Sequence, residues 1–216
     1  ILFNFSLSDY GTDAGSSMRV QDFMQSVLNS AGVHPPMTLA PNIPGAHLYR
    51  FTESHSIYAG LLRNPAGMHV PGHDHGQRDI ERFKAEQFTI TLPQTFHLYD
   101  MREGKYLGFN DEIKNTQGDV TPFMLAALSY SVRNIELHCS RDEAEGGDIV
   151  NVRSKLITEG DEPVGLHVFH VEVLDPDGKA LDYLSSNIVA TNGECEFTIP
   201  FALNDKPGRW ELMIRD

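Results

Sequence analysis

The sequence predicts a mainly β protein with a small βα remnant of an α/β sheet, an all-β domain and a C-terminal immunoglobulin-like β-sandwich. Three observations predict this fold. Helical periodicity is confined to one stretch, between residues 20 and 31. Short runs of alternating apolar and polar residues dominate from residue 87 onward. Beyond residue 148 these runs are separated by turn sequences, of which Asp177-Gly178 and Asn192-Gly193 are the strongest hairpin signals.

The N-terminal part is predicted to form the βα remnant and two following strands. The initial apolar run ILFNF is typical of a strand that is covered on both faces. A helix follows, with Ser16 or Ser17 as its cap and Gly32 as its stop. Its apolar positions are Val20, Phe23, Met24, Val27, Leu28 and Ala31. Alternating runs then predict strands at 46–52 and 56–63.

Changes in composition divide the chain into five segments. They are a βα fragment of an α/β domain with its following strands (1–63), a surface loop (64–86), an all-β domain (87–139), a linker (140–147) and the sandwich (148–216). The linker sequence is rich in acids and glycine, which neither bury area nor favour one backbone conformation. We therefore expect a hinge at 140–147 and a sandwich that folds on its own, with Trp210 in its core.

The charge of the chain narrows the choice of partners. The sequence has 17 Lys and Arg residues against 30 Asp and Glu residues, for a formal net charge of −13. Such a chain repels phosphate backbones, so nucleic acid is not expected as a partner. No apolar run approaches the roughly 20 residues that a membrane-spanning helix needs.

The two cysteines, Cys139 and Cys195, are too few for a disulfide framework. Each lies in an alternating run, which predicts that both face the core of a β domain. Whether they form a disulfide bond with each other depends on the redox compartment and stays open at this point.

Four stretches carry a resemblance to a known family. They are ILFNFSLSDY, LNSAGVHPP, YRFTESHSIYAGLLRNP and FTITLPQTFHLYDMREGKYLGFNDEI, which together fall within about residues 1–115. They resemble the C-terminal region of bacterial beta-galactosidase-like glycoside hydrolases. In that family an (α/β) barrel carries catalysis and is followed by an amidotransferase-like trimerisation domain and a small all-β domain. The resemblance implies the end of the trimerisation domain followed by the all-β domain, without the barrel or its carboxylate pair.

These observations together predict the function class. The chain begins inside an apolar run and ends inside a strand-like alternation, so we expect a segment of a longer polypeptide. We expect a non-catalytic accessory region of a larger carbohydrate-active or cell-surface protein, which packs against other domains or subunits outside the cell or in the periplasm. The alternative is an interaction subunit of a large assembly, and the sequence does not distinguish it from the accessory region.

A histidine-rich stretch in the loop is the sharpest chemical feature of the sequence. The four candidate metal ligands are His69, His73, His75 and Asp79. Imidazole and carboxylate groups suit zinc or another divalent transition metal as a cofactor. This supports an alternative function, a metal-binding or hydrolytic protein that uses residues 69–79. By contrast, His167 and His170 lie three apart on a predicted strand and therefore face opposite sides.

The stretch FHLYDMREGKYLGFND, residues 96–111, predicts a polar β-hairpin. Tyr99 and Asp100 precede its corner and Lys105 and Tyr106 follow it, so these residues can pair across the strands. Gly104 suits the left-handed position of the turn. We interpret the hairpin as scaffold, with carbohydrate binding by the two tyrosines as the functional alternative.

Overall fold

The structure is a computed structural model that describes residues 14–41, 43, 46–63, 85–117 and 121–216. Within these ranges the chain forms one helix and twelve β-strands, so the predicted mainly β fold is confirmed. The elements are α1 (Ala14–Ser30), β1 (Thr38–Ala40), β2 (Ala46–Glu53), β3 (Ser56–Arg63), β4 (Glu86–Asp100), β5 (Lys105–Gln117), β6 (Phe123–Leu128), β7 (Ser131–Cys139), β8 (Ile149–Glu159), β9 (His167–Leu174), β10 (Ser186–Ala190), β11 (Glu194–Pro200) and β12 (Glu211–Arg215). The described residues contain no helix with the length and apolarity that crossing a membrane requires.

Helix α1 ends where the sequence predicts. Gly32 adopts a φ of 74°, and its N–H donates to the carbonyl of Asn29 at 3.0 Å. The N–H of Val33 donates to the carbonyl of Leu28 at 2.9 Å, which completes a Schellman motif. The helix begins earlier than predicted, at Ala14. The apolar run expected to form the preceding strand lies outside the described residues, so the predicted βα unit is described only in its helical half.

The chain divides into two compact units. The first comprises Ile1–Thr52 and Ile57–Leu128, and the second comprises Glu53–Ser56 and Ser129–Asp216. In the first unit, β1, β4, β6, β3 and β2 form a sheet in that order, and β5 also pairs with β4. Strand β4 is one long strand, because its pairing with β5 continues after a register shift between Thr91 and Phe96.

Alternating side chains build the core of the first unit. Residues on one face of β3, β4 and β6 are buried together. They include Ile57, Ala59, Leu61, Phe96, Leu98, Phe123, Leu125 and Ala127. The side chains between them point to the opposite face of the sheet, because successive residues of a strand alternate in direction.

The second unit is a β-sandwich, as predicted. One sheet has the order β11-β8-β7 and the other the order β10-β9-β12, and all of these pairs are antiparallel. Inward-facing residues of the two sheets form two buried clusters, and Ile188, Phe197 and Ile214 pack against both. The buried members of these clusters include Val150, Val152, Leu156, Phe169, Val171, Val173 and Ile199.

The sandwich begins earlier in the chain than the sequence suggests. Strand β7, which falls in the predicted domain 87–139, pairs with β8 from Ser131 opposite Glu159 to Cys139 opposite Val152. The predicted domain boundary therefore differs from the described division, which lies between residues 128 and 129. Alternation shows that residues 131–139 form a strand, but it carries no information about the strand's partner.

The predicted linker is the loop between two paired strands of this sandwich. The N–H of Gly147 donates to the carbonyl of Phe201 at 2.8 Å. A Cβ on Gly146 would lie 3.0 Å from the Cα of Leu203. Arg141 and Asp148 form an ion pair of 2.8 Å across the loop. The loop is thus held by a backbone hydrogen bond and an ion pair.

Candidate functional site

The predicted metal-binding residues cannot be compared with the structure. His69, His73, His75 and Asp79 lie outside the described residues. Within the described ranges, no three His, Cys, Asp or Glu side chains are arranged to hold a metal ion. Metal binding by the loop stays a prediction, which a zinc titration of the chain and of a double variant, His73→Ala with His75→Ala, would test.

The predicted hairpin is present between β4 and β5. Tyr99 pairs with Tyr106 and Asp100 with Lys105, as the sequence predicts. Asp100 Oδ1 accepts the backbone N–H groups of Arg102 and Glu103 at 2.9 and 3.1 Å, which holds the corner. Gly104 has a φ of 59°, in the left-handed region that glycine adopts most easily.

A β-bulge in this hairpin brings four aromatic side chains together. Leu98 pairs with Gly108, but the next residue, Tyr99, pairs with Tyr106, so Leu107 is an extra residue in β5. Gly108 has a φ of 112° at this position. The extra residue turns Tyr106 to the same side of the sheet as Phe109, although residues three apart on a regular strand face opposite sides.

We define the aromatic surface as His97, Tyr99, Tyr106 and Phe109. Its ring centroids are 4.6 Å apart for His97 and Phe109 and 5.0 Å apart for Tyr99 and Tyr106. The Nδ1 atom of His97 lies 2.9 Å from Tyr106 Oη and forms a hydrogen bond with it. Tyr106 is 48% exposed and Phe109 is 62% exposed. The surface therefore offers apolar ring faces, with polar atoms beside them, on the side of β4 opposite the core.

A polar cluster lies inside the sandwich, and no pattern in the sequence indicates it. The carboxylate of Asp216 can only accept, so His167 Nδ1 donates to it at 2.7 Å. His167 Nε2 and Tyr130 Oη lie 2.7 Å apart and form a second hydrogen bond. Tyr130 Oη in turn accepts the N–H of Gly165 at 3.2 Å. The residues are far apart in the sequence, so no local pattern signals them.

Burial decides what this cluster can do. Tyr130 is only 1% exposed, and His167 is buried as well. Burial raises the pKa of Tyr130 above its ordinary value, and the N–H of Gly165 opposes this, while the charges of Asp216 and Glu53 add to it. A neutral phenol that solvent does not reach suits a structural hydrogen bond. His170, in contrast, is exposed and bonds Asn187, so the predicted opposite orientation of the two histidines is confirmed.

A cleft of about 1020 Å³ opens at one side of the sandwich, between the loop that follows β7 and the segment that precedes β12. Val150, Val173, Ile199 and Leu212 contribute apolar side chains to its lining. The indole of Trp210 is half-buried, packs against the core and donates through Nε1 to the carbonyl of Lys206 at 3.1 Å. Trp210 therefore packs against the core, as predicted, but it is only half-buried and also lines the cleft.

Both cysteines are free thiols in the sandwich. Cys195 is buried, whereas Cys139 is half-buried and lines the cleft. Burial raises the pKa of each thiol, and the nearby charge of Asp142 adds to this at Cys139. The disulfide bond that the sequence left open is therefore not formed in this structure.

The aromatic surface and the cleft are two exposed features of the described residues that a partner could contact. What the arrangement offers is recognition of another surface. The chain matches no known family model, and a comparison with curated proteins finds no significant relative.

Proposed function

We propose that this chain is a non-catalytic accessory region of a larger carbohydrate-active or cell-surface protein, and that it packs against a neighbouring subunit through the aromatic surface. The observation that carries the proposal is the exposure of Tyr106 and Phe109 in one cluster of rings. Exposed aromatic clusters of this kind mark interaction sites more often than exposed single side chains do.

Burial of this surface against a partner would contribute part of the free energy of association. At about 25 cal/mol per Å², burying the exposed parts of these two rings would contribute about 2–3 kcal/mol each. The cross-strand pairs and the hydrogen bond between His97 and Tyr106 already hold two of the rings in position. Contact with a partner would therefore cost little side-chain entropy in these rings.

The sequence resemblance also supports a role in subunit packing. Residues 1–115 resemble the end of a trimerisation domain and the following all-β domain of beta-galactosidase-like glycoside hydrolases, where subunit packing is expected. Export from the cytoplasm, to the periplasm or the cell exterior, belongs to this proposal. Sugar rings are a second chemical class that could stack on Tyr99 and Tyr106, because aromatic faces pack against apolar ring faces.

Sedimentation velocity of the chain over a range of concentrations tests the proposal. We expect self-association that the double variant Tyr106→Ser, Phe109→Ser abolishes while its unfolding midpoint stays unchanged. Phe51→Ser is a matched control, since Phe51 is 65% exposed on β2 and lies outside the aromatic surface.

Two results would contradict this function. Equal association of the double variant and the unmodified chain would exclude the aromatic surface as the contact. Turnover of aryl glycosides by the chain above a buffer blank would contradict a non-catalytic role.

A further inference from the structure

Strand β12 forms the edge of the sandwich beside the cleft. Among the described residues, β12 pairs only with β9, at the end of the sheet order β10-β9-β12. The backbone groups on its other edge face away from β9. An edge of this kind is a template for main-chain pairing with a further extended segment.

The cleft lies against the same strand. Glu211 and Leu212 of β12 contribute to its lining, together with Cys139 at the end of β7. Leu212 and Cys139 are each half-buried against the core. The apolar core is therefore incompletely covered between these two strands, and alternate side chains of an added strand would enter the cleft.

The rim of the cleft carries an excess of negative charge. Six acidic and three basic residues line it. The acids are Asp142, Glu143, Glu145, Asp148, Asp205 and Glu211. Arg141 pairs with Asp148, and Arg209 lies 3.8 Å from Glu211, while Lys206 pairs with Asp177 outside the cleft. A partner with basic residues would complement the carboxylates that remain.

We propose that the cleft binds an extended, basic segment of a partner polypeptide, which pairs with the free edge of β12 and places alternate apolar side chains against Val173, Leu212 and Trp210. This site is separate from the aromatic surface and does not depend on the function proposed above. The main-chain pairing gives the affinity, and the cleft and its rim select alternating apolar and basic residues.

The chain contains two reporters for this binding. Trp210 is the only tryptophan in the sequence, and its indole lines the cleft. Cys139 lines the same cleft, while Cys195 is buried elsewhere in the core and serves as an internal reference. The probe is a synthetic peptide of about nine residues in which valine and lysine alternate.

We expect this peptide to shift the emission of Trp210 to shorter wavelength in a saturable manner and to slow the modification of Cys139 about tenfold, read site by site by mass spectrometry. A peptide with proline at its centre should not bind, because proline lacks the N–H that strand pairing needs. The rim variant Asp142→Lys, Glu143→Lys should bind the lysine peptide about tenfold more weakly, with an unchanged unfolding midpoint.

Three outcomes would overturn the proposal. The first is that neither the emission of Trp210 nor the modification rate of Cys139 changes up to about 1 mM peptide. The second is equal binding of the proline peptide, which would mean an apolar contact without strand pairing. The third is protection of Cys139 that rises with protein concentration in the absence of peptide, which would make a second copy of the chain the occupant.

Discussion

Tyr130 and His167 are joined by a buried hydrogen bond of 2.7 Å, although 37 residues separate them in the sequence. Tyr130 directly precedes β7 in one sheet of the sandwich, and His167 begins β9 in the other. The bond continues from His167 to Asp216, directly after β12. A short polar chain thus links the two sheets.

Replacing Tyr130 with phenylalanine should destabilise the sandwich. Tyr130→Phe keeps the ring but leaves His167 Nε2 and the N–H of Gly165 without their partner in a buried position. We expect the free energy of unfolding to fall by about 1–3 kcal/mol, measured by urea denaturation. Tyr183→Phe is the control, because Tyr183 is 69% exposed and its loss should change little. A Tyr130→Phe variant as stable as the unmodified chain would show that the bond is not needed.

The same variant should change the response to alkaline pH. Burial raises the pKa of Tyr130 above its ordinary 10.0, so the unfolded chain ionises at a lower pH than the folded protein. The resulting stabilisation is complete below pH 10 and is lost as the pH rises through the pKa of the folded state. We therefore expect unfolding free energies measured across this range to fall less steeply for Tyr130→Phe.

The two cysteine thiols also lower the free energy of unfolding at high pH. They do so equally in the unmodified chain and in Tyr130→Phe. Burial raises the pKa of Cys139 and of Cys195 above their ordinary 9.0, so both also cost stability at high pH. Their contribution is present in both proteins and cancels in the comparison. Parallel pH profiles for the two proteins would contradict a raised Tyr130 pKa.

Two glycine turns in the sandwich allow the stability cost of backbone strain to be measured separately from the cost of steric contact. Gly193 and Gly178 have nearly equal φ values of 74° and 76°. A Cβ on Gly193 would lie 2.9 Å from Val164 Cγ1, whereas a Cβ on Gly178 would meet nothing within 4 Å. Gly178→Ala should cost about 1 kcal/mol from strain alone, and Gly193→Ala about 1–3 kcal/mol more. Equal losses in thermal unfolding would mean that Val164 moves aside without cost.

The position of β7 can be tested with two fragments. We expect residues 129–216 to unfold cooperatively, because this fragment contains all six strands of the sandwich. Residues 148–216 lack β7, which exposes one edge of β8 and part of the core. We expect this shorter fragment to be less stable by about 3 kcal/mol or more in urea denaturation, followed by Trp210 emission. The same unfolding midpoint for both fragments would show that β7 does not support the sandwich.

Features set by neighbouring residues were predictable from the sequence. The stop of α1 at Gly32 and the turn at Gly104 each use a glycine with positive φ. At Asn192 and Gly193 both residues have positive φ, and Thr191 and Glu194 exchange two backbone hydrogen bonds across them. Strand pairing at the hairpin follows from its turn, because a short corner leaves few registers possible. In each case the energies that matter act within a few residues.

Features that depend on distant partners were not predictable. Residues 131–139 alternate like any strand, and only pairing with β8 places them in the sandwich. Tyr106 and Phe109 share a face because β4 pairs with β5 around the extra residue Leu107. The spacing of these residues in the sequence does not reveal this bulge. Tyr130, His167 and Asp216 meet because two sheets pack together. The physical reason is common to all three, since contacts between strands form across the fold and leave no periodic signal within either strand.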